Sequence, residues 1–69
     1  MEKEAKEMID IMEYVGNIKS FVNDEEISKF KKWCIKNHYE KTALINIEII
    51  QDMMKERNEE IKRYYLSLR

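Results

Sequence analysis

From Ala43 to Leu68 the chain contains neither Gly nor Pro, and Ala43, Ile47, Ile50, Met54, Arg57, Ile61, Tyr64 and Leu68 follow one another at steps of 4, 3, 4, 3, 4, 3 and 4. Strands alternate with a period of two, whereas this spacing returns to one face of a helix every heptad. Nearly four heptads in register predict one long helix over about residues 40–68, with a coiled-coil-like seam. A helix of about 27 residues is ~40 Å long. A compact globule of 69 residues is under ~30 Å across. The C-terminal helix is therefore expected to project past its own chain's core. A second copy of the chain is expected to cover the seam formed by Ile47, Ile50, Met54, Arg57, Ile61, Tyr64 and Leu68.

Arg57 stands where an apolar residue is due. A polar residue in a seam can set register at a cost in stability, and a long cationic side chain can also reach out to water. Glu56 and Glu60 lie close enough in sequence to pair with it. On that reading, replacing Arg57 with Leu would stabilise the assembly.

Two shorter helices are expected ahead of the rod. Over residues 2–22, Met8, Ile11, Met12, Tyr14, Val15, Ile18, Phe21 and Val22 fill about half the helical circumference, a face wide enough for two neighbours. Gly16 falls on its polar side and reads as a tolerated helical glycine. Asn23 followed by Asp24, Glu25 and Glu26 is a helix start, with a capping side chain and acids at the positive end of the dipole. The second helix then covers 24–36, with Ile27, Phe30 and Cys34 on one face and Trp33 beside them. Asn37-His38 is the expected break, with Asn37 able to take the left-handed conformation that ends a helix.

The whole chain, residues 1–69, thus reads as one all-α domain: two shorter helices and one long C-terminal helix in a small bundle completed by dimerisation. A single Gly and no Pro leave no punctuation for strands and turns. So small a core is marginal without a disulfide, a metal or a partner. One Cys excludes an internal disulfide, and one Cys with one His is short of a zinc site. No metal or cofactor is expected, and a partner is the remaining support. No apolar run is long enough to span a bilayer, and the acidic start does not resemble a secretory signal, so a cytoplasmic location is expected.

Charge is segregated. Residues 1–26 hold eight acids and three bases, net −5; residues 27–41 hold five Lys and one Glu, net +4; residues 42–69 hold five of each. Lys29, Lys32, Lys36 and Lys41, with Trp33, His38 and Tyr39 nearby, could meet nucleic-acid phosphates. Against this, the segment has no Arg, the chain is acidic overall, and no nucleic-acid-binding motif is present. Membrane-surface binding fits less well, because the polar face of the first helix is acidic.

Catalysis has one pair to consider. Cys34 and His38, four apart, would share a face of an unbroken helix. The expected break at Asn37 separates them, and the apolar neighbours of Cys34 would bury it and keep the thiol protonated. The chain is not expected to be an enzyme. The leading expectation is a small helical regulatory protein that docks onto a larger protein as a homodimer, with Trp33, Tyr64 and Tyr65 as aromatic anchors. The alternative is a nucleic-acid-binding regulator using the four lysines.

Overall fold

The computed structural model describes residues 2–68. They form an all-α domain of four helices: α1 (Glu2–Gly16), α2 (Asp24–Lys36), α3 (Glu40–Ile45) and α4 (Ile47–Ser67). The domain is elongated, 44 × 22 × 17 Å, with a radius of gyration of 12.8 Å. That is longer than a compact chain of this size, for which ~11 Å is usual.

α1 ends at Gly16, six residues short of the expected Val22. The glycine does not adopt a positive φ, and a Cβ there would meet nothing within 4 Å. It is therefore a weak point of helix propensity rather than a forced turn. The apolar residues that continue the pattern, Ile18, Phe21 and Val22, lie in an irregular linker over 17–23. Two side chains of α4 hold that linker. Arg57 Nε donates to the Ile18 carbonyl at 2.6 Å. Asn58 brackets Val22, accepting from its N–H at 2.6 Å and donating to its carbonyl at 3.2 Å.

α2 starts as its sequence indicates. The Asn23 side chain accepts from the Glu26 N–H at 3.1 Å, satisfying one otherwise orphaned donor. Glu26 does not close the reciprocal half of the box; its carboxylate accepts from the Ser20 hydroxyl at 2.9 Å instead. The helix ends in a Schellman motif: Tyr39 N–H donates to the Cys34 carbonyl at 2.8 Å and His38 N–H to the Ile35 carbonyl at 3.2 Å. The left-handed residue is His38, at φ 61°, not Asn37. Asn37 instead uses its side-chain amide to donate to the Trp33 carbonyl at 2.8 Å.

The expected third helix is two. Asn46 interrupts it at φ −108° and ψ 25°, and its side-chain amide donates to the Thr42 carbonyl at 2.9 Å. Asn side chains compete with the helical ladder in this way. The ladder still carries through, from Asn46 N–H to Thr42 and from Ile50 N–H to Asn46, so the axis bends without parting.

Three polar pairs fasten α1 to the α3 region. Tyr39 OH donates to Asp10 at 2.6 Å, the Thr42 hydroxyl donates to Glu7, and the Asn46 amide approaches Glu4 at 3.4 Å. Beneath them lies a core of Ile11, Val15, Phe30, Cys34, Ala43, Ile50 and Met54. Ile11 and Ile50 are fully buried.

Candidate functional site

The seam residues divide into two groups. Ile50, Met54 and Ile61 are buried within the chain itself. Arg57 is half-buried by its bond to Ile18, and it also pairs with Glu60 at 3.2 Å. The pairing with Glu60 is the one its position suggests; the carbonyl bond is not visible in any local pattern. Ile47, Tyr64 and Leu68 remain exposed. The middle of the heptad line thus faces α1 and the linker, and only its two ends lie open to another molecule.

The C-terminal end of α4 exposes apolar side chains on more than one face. Residues 62–68 of α4 and its cap are exposed, and the ring of Phe21 stacks on Tyr65 at 6.1 Å. Tyr64 meets Tyr65 edge-on at 5.7 Å. Phe21, Tyr64, Tyr65, Leu66 and Leu68 are all large and exposed. Grouped exposed apolar side chains of this kind mark contact surfaces.

The other open surface is a groove of about 440 Å³ between α2 and the α3–α4 arm. No Cα of α2 lies within 8 Å of a Cα of α4, and this splay leaves the opening. One wall carries Ile27, Lys31 and Ile35; the other carries Glu40, Leu44 and Ile47. The buried Phe30, Cys34 and Ile50 form the floor. Leu44 is 72% exposed, the most of any large apolar residue described. Neither Lys31 nor Glu40 has an ion-pair partner among the described residues.

Trp33 is engaged elsewhere. Its ring lies 4.6 Å from Tyr14, 6.1 Å from Phe30 and 5.5 Å from Tyr39. It belongs to the chain's own aromatic packing, whereas Tyr64 and Tyr65 are exposed. The lysine face is affected too. Lys29 pairs with Glu25 at 3.7 Å and Glu26 at 3.5 Å. Lys32, Lys36, Lys41 and His38 are exposed, while Trp33 and Tyr39 beside them are half-buried and packed edge-on against each other.

The chemistry of the single thiol is muted. Burial pushes Cys34 up from its ordinary 9.0 to about 11, and the Glu40 charge adds in the same direction. His38 is exposed past the end of the helix, while Cys34 is buried. The two do not form a nucleophile–base pair. Tyr39 holds its phenolic proton more tightly than usual, chiefly through its hydrogen bond to Asp10, then through burial and the charges of Asp10 and Glu7. Among the described residues, no three His, Cys, Asp or Glu side chains converge as metal ligands, and no helix is long and apolar enough to cross a membrane.

Comparison with protein families, with curated proteins and with solved structures finds no match to this chain.

Proposed function

We propose that the chain is a small helical protein–protein interaction module, which binds and modulates a larger protein and works as a homodimer. The observation that supports it is the overhanging end of α4, where Tyr64, Tyr65, Leu66 and Leu68 stand exposed and Phe21 stacks on Tyr65. Tyrosines are frequent energetic anchors at interfaces because they present a large rigid surface with a polar tip. The helix presents them on an α-helical rod, suited to docking in a groove or on a flat face of the target.

The test pairs capture with direct binding. Proteins retained on the immobilised wild-type chain are identified, and the purified target is titrated against wild type and a Tyr64→Ser/Tyr65→Ser variant. The expected result is a target whose affinity falls about tenfold or more in the variant, with helicity unchanged. A target that binds the variant as tightly, or the absence of any retained protein, overturns the reading. The nucleic-acid alternative draws less support, because Trp33 and Tyr39 are engaged in the chain's own packing and Lys29 pairs with Glu25 and Glu26.

A further inference from the structure

We infer that the groove between α2 and the α3–α4 arm is the self-association surface, and that it is filled by the same face of a second copy related by a two-fold axis. The inference rests on the self-association half of the proposed function and assigns it to a site away from the tyrosines.

Surface area gives the first reason. A monomeric protein of 8.5 kDa ordinarily exposes ~4,700 Å². This chain exposes 5627 Å², in excess by about 1,000 Å², and a standard interface covers ~800 Å² on each partner. That surplus belongs to the elongated chain as a whole, the α4 overhang included, and is on the scale of what one partner could cover; the groove's place in it rests on its complementarity.

The second reason is that the face is complementary to itself. A two-fold interface uses one patch twice, so any residue that meets a second residue across it is met in return. The patch must then contain both a hollow and a knob, and both signs of charge. This one does. Its floor is apolar, while Leu44 and Ile47 stand exposed on the rim. Lys31 is on the α2 wall and Glu40 on the α3 wall, each without an ion-pair partner among the described residues. A two-fold axis through the groove seats Leu44 of each copy in the other's hollow and brings each Lys31 to the other's Glu40. A foreign helix that filled only the hollow would leave Lys31 and Glu40 unpaired, whereas a second copy supplies a partner to each.

The decisive measurement is sedimentation equilibrium of the full chain across a concentration series, with helicity followed by circular dichroism. Wild type is expected to dimerise, and Leu44→Asp to be monomeric with helicity retained, since Leu44 is exposed and plays no part in the core. Lys31→Glu and Glu40→Lys are each expected to weaken the dimer about tenfold. An equimolar mixture of those two variants recreates both cross-pairs in one heterodimer and is expected to associate more tightly than either alone. A mixture no tighter than its components overturns the proposal. So does a dimer that is indifferent to Leu44→Asp but lost in Tyr64→Ser/Tyr65→Ser; that pattern would leave self-association standing and move it to the α4 overhang. A wild-type chain that stays monomeric throughout overturns both the groove dimer and the self-association half of the proposed function.

Discussion

Arg57 and Ile18 are 39 residues apart in sequence, and the Nε of the first donates to the backbone carbonyl of the second at 2.6 Å. The arginine that breaks the heptad line is thus a strap across the irregular linker. Removing the donor leaves the desolvation of the part-buried Ile18 carbonyl uncompensated. This reverses what the seam alone suggests. Arg57→Leu is expected to destabilise the fold by about 1.5–3 kcal/mol, as for a hydrogen bond to a charged group, read as a lower midpoint in urea. A raised midpoint would show that the apolar seam outweighs the strap.

Asn58 closes the same linker with two bonds to Val22. Asn58→Ala is expected to cost about 1–3 kcal/mol. It should also speed limited proteolysis within residues 17–23 before α4 itself is cut. Asn58→Asp keeps the acceptor for the Val22 N–H but loses the donor to its carbonyl, and should fall between Ala and wild type. Equal cleavage of wild type and Asn58→Ala would mean that the linker is held by its apolar residues alone.

His38 sits at φ 61°, in the left-handed region where a non-glycine residue is disfavoured by about 1–2 kcal/mol. Part of that is offset by the greater freedom glycine has in the unfolded chain. His38→Gly is therefore expected to stabilise by roughly 0.5–1 kcal/mol, seen as a higher thermal midpoint. His38→Val, β-branched at the same φ, should lower it.

Alkaline pH should loosen the fold. Cys34 is raised from 9.0 to about 11 in the folded chain, and Tyr39 is raised above its ordinary 10.0. Each group binds its proton more tightly folded than unfolded. Its contribution is therefore whole below the unfolded value and is lost as pH rises through the folded one. For Cys34 that window runs from 9.0 to about 11. Urea midpoints measured upward from neutral pH are expected to decline over this range, and less steeply in Cys34→Ala and Tyr39→Phe. A decline of equal slope in both variants would assign it to other groups.

Much of the fold was legible because its signals are local. The bounds expected for the second helix, 24–36, coincide with α2, since Asn23 caps it and the Asn37-His38 pair ends it within a few residues of chain. The two departures have non-local causes. Ile18, Phe21 and Val22 keep helical spacing, yet they are drawn out of the helix by Arg57 and Asn58, which lie far away in sequence. Asn46 bends the rod where its amide meets Thr42 and turns towards Glu4, so that Tyr39 and Thr42 can reach Asp10 and Glu7. Periodicity alone shows that a face is apolar and leaves open whether the chain or a partner covers it. Ile50, Met54 and Ile61 turned out to be covered from within, Tyr64 and Leu68 were not, and the groove walls at Lys31, Glu40 and Leu44 belong to no heptad pattern at all.

The placement of the lone tryptophan among Tyr14, Phe30 and Tyr39 equips the molecule with a built-in optical reporter of limited scope. Its emission answers to the junction where the first helix, the second and the turn after it meet, and no ring at the far tip of the rod lies beside it. Fraying of that tip should therefore reduce far-ultraviolet ellipticity while the fluorescence stays native. Any gap between the two melting curves would measure how independently the overhang comes apart.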